Sequence, residues 1–161
     1  MPFKKILVPT DFGPSSQHAT EVAIGMAQSS GAALTLLHVW DVPSYAYGGM
    51  ELCAADLLAP LQGQAQLKLD AALADVQKML PRATAVLRCG QASSEIEGAI
   101  GDLGPDLVVM GTRGRRGVAR AFLGSVAEKV VRTSNVAVLT VHAKAEAQHA
   151  PLAPLAPHAP A

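Results

Sequence analysis

Between Gly111 and Ser125 the chain reads GTRGRRGVARAFLGS, directly after the apolar run Leu107 to Met110 and directly before a stretch of helical periodicity. Glycines and arginines at a strand-to-helix junction suit the holding of phosphate. In a parallel α/β sheet each strand end opens onto the start of the next helix, where unpaired N–H groups and the positive end of the helix dipole favour an anion. Glycines let the backbone approach phosphate oxygens closely. Charge-assisted hydrogen bonds from the N–H groups of Gly114, Ser125 and Val126 would contribute roughly 1.5–3 kcal/mol each, so three suffice for much of a micromolar site. Arg113, Arg115, Arg116 and Arg120 add positive charge with no acid among them. Arg113, beside Gly114, is a candidate phosphate contact and equally a solvated loop residue. Ser125, three residues before Glu128, also has the spacing of a capping box.

Other chemistries find less support. There is no G-x-x-x-x-G-K-[ST] loop and no G-x-G-x-x-G after the first apolar run, which weakens the P-loop kinase and dinucleotide dehydrogenase readings. Cys53 and Cys89 stand far apart and form neither a disulfide framework nor a zinc motif, as expected of a reduced cytosolic chain. The five histidines show no metal-ligand spacing on an expected helix, and His38, inside an apolar strand, reads as a core residue. Thirteen basic and thirteen acidic residues cancel, so the whole molecule has no electrostatic attraction to nucleic acid or an anionic membrane. The N-terminal apolar run is too short for a secretory signal, and no apolar run approaches a membrane span. A cytoplasmic location is expected.

A chain of 161 residues, 50% of them apolar, can bury one sizeable core. Short apolar runs alternating with helical periodicity predict a parallel sheet flanked by helices. Strands are expected at Lys4 to Val8, Ala33 to Val39, Thr84 to Cys89, Leu107 to Met110 and Val136 to Val141. The first helix, capped by Ser15 or Ser16, should end at Gly31, and the second should run from about Gln64 to Leu80. The third should open on a Ser94–Glu97 capping box and end at Gly104-Pro105, and the fourth should span Ser125 to about Thr133. The long connection from Trp40 to about Ala55 contains Tyr45 and Tyr47, whose rings could cover a bound base. From residue 143 the composition turns to Ala and Pro, with Pro151, Pro154, Pro157 and Pro160 in a three-residue period that suits a polyproline II tail. The domain boundaries are therefore 1–142 for the folded domain and 143–161 for the tail.

The spacing Gly111, two residues, Gly114, nine residues, Gly124-Ser125 does not stand alone. Together with the opening KKILVPTDF, the strand LTLLHV, the junction DLVVMGTRG and the helix start GSVAEKVV, it resembles the universal stress protein family in its ATP-binding branch, over about residues 3 to 142. The resemblance implies an α/β fold with a five-stranded parallel sheet of order 3-2-1-4-5, helices on both faces, and ATP bound where the strand order reverses. Physical expectation agrees, because ligands of open parallel sheets sit beyond the carboxyl ends of the strands at that switch point. Carried over by position, Pro9, Thr10, Asp11 and Val39 would surround the adenosine, and Met110, Gly111, Gly114, Gly124, Ser125 and Val126 would form the ribose and phosphate side. Asp11 is a natural partner for ribose hydroxyls or a phosphate-bound Mg2+, and equally a cap for the first helix or its preceding turn.

The family resemblance also implies a homodimer through Val136 to Val141, a strand whose position at a sheet edge would leave backbone groups open to pairing. The function expected is that of an ATP-binding stress-response protein in which the nucleotide is a regulatory ligand. No catalytic residue is assigned, since fast phosphoryl transfer needs a positioned nucleophile, held metal and charge compensation at the γ-phosphate. The alternatives are a slow ATPase or phosphotransferase, with Asp11 on the metal and Arg113 or Arg115 on the developing charge, and a nucleotide-independent dimer acting through its edge strand and tail.

Overall fold

A computed structural model describes residues 2–41, 54–112 and 123–143. Gly114, the arginines Arg113, Arg115, Arg116 and Arg120, the tyrosines Tyr45 and Tyr47, Cys53 and the proline-rich segment 151–160 lie outside the described residues. In chain order the elements are β1 (Lys5–Pro9), α1 (Pro14–Ser30), β2 (Ala33–Trp40), α2 (Ala54–Gln77), β3 (Thr84–Cys89), α3 (Ala92–Leu103), β4 (Leu107–Gly111), α4 (Ser125–Thr133) and β5 (Ala137–Val141). The strands form one five-stranded parallel sheet of order β3-β2-β1-β4-β5. This is the expected α/β architecture and strand order.

The inner strands are apolar on both faces because both faces are covered. Successive residues of a strand point to opposite sides, and the core divides accordingly. Ile6 and Val8 pack with Ala23, Ile24 and Ala27 of α1 and Leu69 and Val76 of α2. Leu7, Val108 and Met110 pack with Ile96, Ala99 and Ile100 of α3 and Ala127 and Val130 of α4. The carboxyl ends of the central strands are thereby held between two helical layers.

Helix ends follow backbone chemistry more than serine spacing. Gly31 (φ 72°) and Gly104 (φ 58°) close α1 and α3 in the left-handed conformation, as their sequence positions predict. The expected serine caps are corrected. Gly13 caps α1 with Pro14 at its first turn, Gln91 caps α3, and Gly124 caps α4, none through a side chain. Ser94 lies inside α3 with its hydroxyl donating to Gln91 Oε1 at 3.0 Å, while Glu97 accepts from the Thr133 hydroxyl of α4. The α2 helix starts well before Gln64 and runs through Pro60, although an interior proline costs about 3 kcal/mol by removing a helical hydrogen bond. Burial of Ala65, Leu69 and Val76 under the sheet supplies the offset.

Candidate functional site

The two neighbours of the central strand keep different company with it. The β1–β2 ladder runs five pairs, from Lys5↔Ala33 to Pro9↔Leu37, and Thr10 N–H extends it to the Leu37 carbonyl at 2.8 Å. The β1–β4 ladder holds only Ile6↔Leu107 and Leu7↔Val108. Beyond those pairs the strands part, and a cavity of about 900 Å³ opens at their carboxyl ends. Such a volume suits a small organic ligand or cofactor. Pro9, Thr10, Asp11, Val39, Met110, Gly111, Gly124, Ser125 and Val126 all line it, so every described residue of the expected site borders one cavity. Arg113 and Gly114 fall outside the described residues.

The turn after β1 is built by its own side chains. Asp11 Oδ1 accepts the Gly13 N–H at 3.0 Å and the Ser16 hydroxyl at 2.7 Å. Thr10 Oγ1 accepts the Phe12 N–H at 3.1 Å, and Phe12 adopts φ 62°, the only non-glycine residue with positive φ among the described residues. This strained conformation is held partly by packing, since the Phe12 ring lies 4.4 Å from the imidazole of His38. Asp11 therefore does shape the turn before α1, and it does so while facing the cavity. Among the described residues no three His, Cys, Asp or Glu side chains come together as a metal site, so a cation here would need ligand oxygens beside the protein's own.

Across the cavity lies the start of α4. Gly124 caps the helix without a side chain, and its carbonyl accepts the Glu128 N–H at 2.9 Å. The N–H groups of Ser125, Val126 and Ala127 have no intrahelical partner by helix geometry, and all three residues border the cavity. Ser125 is the first helical residue and exposed, so its spacing to Glu128 is not a capping box. Gly111 has a packing reason in addition to any ligand. A Cβ there would lie 2.7 Å from the Ser15 carbonyl carbon and 2.8 Å from Ser16 N, so only glycine lets the end of β4 meet the first turn of α1.

Other lining residues carry no local signal in the sequence. His38 is half-buried and borders the cavity instead of sitting in the core, and its Nδ1–H donates to the Thr10 carbonyl at 2.8 Å, which fixes the tautomer. Lys68 of α2 and Asp11 are the charged residues among the described lining, while Trp40, Ala92 and Ile96 add apolar wall. Ser16 and Thr112 are buried polar residues at the cavity floor. The exposed Cys89 lies elsewhere, its thiol pushed up by desolvation and then by the carboxylates of Asp41 and Glu95, which disfavours the reactive thiolate.

The fold and this cavity can be set beside known proteins. A universal stress protein of Methanocaldococcus jannaschii, MJ0531, is 34% identical over 143 residues, covering 86% of this chain and 82% of that protein. One of Thermus aquaticus is 37% identical over 142 residues, covering 86% and 98%. Among solved structures, that of the M. jannaschii hypothetical protein MJ0577 superposes with a TM-score of 0.75 at 28% identity, covering 88% of this chain and 97% of that one. Universal stress proteins solved in complex with cAMP and with dAMP share the fold, at 22% and 17% identity and a TM-score of 0.61 each. The Universal stress protein family model matches residues 2–142, which contain the whole sheet and every described cavity residue. With family model, close relatives, strand order and switch-point cavity in agreement, the chain belongs to the universal stress protein family.

Proposed function

We propose that this protein binds ATP in the cavity at the β1/β4 switch point and uses it as a regulatory ligand in a cytosolic stress response. The observation that carries the reading is the start of α4, which no side chain caps. Three N–H donors without intrahelical partners border a cavity that is largely apolar elsewhere, the arrangement that favours a nucleotide with its phosphates at a helix N-terminus. Val39 and Pro9 would flank the adenosine, and Thr10 and Asp11 its ribose. Met110 and Gly111 would line the ribose and phosphate side with Gly124, Ser125 and Val126, to which Arg113 and Gly114 would add. The complexes of other family members with cAMP and dAMP support an adenine nucleotide as compatible with this fold. ATP would be a switch only by binding one conformation or partner state better than another. Mg2+, if carried in, would be held by phosphate oxygens with Asp11 beside them.

The folded domain proposed is 1–142, with the Ala/Pro-rich segment from 143 as an appended tail. Among the described residues no helix is long and apolar enough to cross a membrane. A homodimer through β5 belongs to the same proposal, supported by that strand's place at the edge of the sheet and by the exposure of Leu139.

Calorimetric titration of ATP into nucleotide-free wild type and Ser125→Glu tests the site. A carboxylate in the first turn of α4 complements the helix dipole and should preserve or slightly raise the melting temperature, while repelling phosphate. Micromolar binding by wild type and a loss of at least about tenfold in the folded variant is the expected result. Equal affinity in both proteins would remove the α4 terminus from the site.

A further inference from the structure

Thr112 follows β4 and is 1% exposed, yet all of its polar groups are engaged with different parts of the chain. Its N–H donates to the Val141 carbonyl at the end of β5 at 2.9 Å, and its carbonyl accepts the Gly124 N–H at 2.7 Å. Its hydroxyl lies 2.9 Å from Nδ1 of His142, the residue just past β5. His142 is braced in turn, because His18 Nδ1–H of α1 donates to its carbonyl at 2.6 Å. A single path of hydrogen bonds thus joins α1, the end of β5 and the residue that caps α4.

We infer that Thr112 and His142 are positioning residues for the phosphate end of the nucleotide site, holding the Thr112 peptide so that its carbonyl fixes Gly124 and with it the donors of α4. This rests on the nucleotide reading above and deepens it. The Thr112 carbonyl is the described anchor of the Gly124 N–H, and Gly124 has no side chain to fix itself otherwise. The ladder bond of the Thr112 N–H restrains one side of the residue, and the hydroxyl–imidazole bond restrains the rotation that would swing the carbonyl away. His142 is exposed, so water can satisfy its Nδ1 when the threonine hydroxyl is removed, and the fold has no buried orphan to carry.

The test combines amide hydrogen exchange at Gly124 in nucleotide-free protein with ATP titration, for wild type, Thr112→Val, Thr112→Ser, His142→Ala and the double variant Thr112→Val/His142→Ala. The first and third single variants are expected to speed Gly124 exchange and to weaken ATP binding about tenfold each. The melting temperature should stay near wild type for Thr112→Val and fall by a few degrees for His142→Ala, which leaves the buried Thr112 hydroxyl without its imidazole partner. Thr112→Ser restores both, and the double variant is no worse than either single one, because one bond is lost in all three. His142→Ala, at an exposed position, serves even where Thr112→Val perturbs packing. Unchanged Gly124 protection in both single variants would overturn the inference whatever the titration shows. Faster exchange with wild-type ATP affinity would overturn the link to nucleotide while leaving the nucleotide site standing. A wild type that does not bind ATP would remove the nucleotide reading itself, and this role with it.

Discussion

Asp11 serves the turn and the cavity together, and the two duties can be separated. Replacing it with Asn keeps an oxygen acceptor for the Gly13 N–H and the Ser16 hydroxyl but removes the charge. The Asp11→Asn protein should unfold in urea within about 1 kcal/mol of wild type, since the hydrogen bonds survive in weaker form. Its affinity for ATP should change little without Mg2+ and fall several-fold with it, read by titration in the presence and absence of the metal. Loss of affinity of the same size in both conditions would assign Asp11 to the ribose alone. At this scale the family resemblance, carried over by position, brought Pro9, Thr10, Asp11, Gly124 and Ser125 together, and all five border the cavity. The sequence was silent on Thr112 and His142, which lie 30 residues apart and meet only because β4 and β5 are neighbours. It misplaced His38, whose apolar flanks suggested the core although the strand end on which it sits opens into the cavity.

Among the elements, strands, glycine-closed helix ends and the start of α4 at Ser125 were legible, and the capping residues were not. A Ser-x-x-Glu spacing occurs inside a helix as readily as at its first turn, so Ser94 and Ser125 each sit beyond the true cap. The start of β4 is secured differently, by a carboxylate. Asp106 accepts the N–H of Lys4 at 2.8 Å and of Lys5 at 3.0 Å, and these bonds, Lys4 first, hold its carboxyl below the usual carboxylate range. Because the folded state lowers this pKa, the stabilisation is fully present above the unfolded value of about 3.9 and is lost as pH falls through the folded one. Asp106→Asn should therefore lower the urea midpoint at pH 7, and the gap to wild type should narrow steadily as pH falls below the usual carboxylate range. A gap that stays undiminished however far the pH falls below that range would mean that the charge of Asp106 is immaterial to the clasp.

For the molecule as a whole, the zero net charge leaves recognition to local features, the cavity and the open edge of β5. Leu139 on that edge is 37% exposed and Val131 on the adjoining α4 is 47% exposed. If the proposed dimer forms through β5, Leu139→Lys should convert it into a monomer in sedimentation velocity while leaving the melting temperature of the domain close to its starting value. Sedimentation of both proteins as the same species would place the contact elsewhere or nowhere. The strand order was legible from the family resemblance and not from periodicity, because hydrophobic alternation identifies strands without saying which of them are neighbours.

The place of β1 in that order governs how the chain must assemble. Its partner β2 follows after one helix, whereas the clasp of Lys5 with Asp106, at the start of its other partner, joins residues 101 apart in sequence. During synthesis β1, β2 and β3 can form a half-sheet long before β4 leaves the ribosome, and the apolar second edge of β1 waits unpaired throughout. The strand whose carboxyl end borders the finished cavity is thus also an unpaired edge of the nascent sheet, and the interval until β4 arrives is when a chaperone has the most to cover.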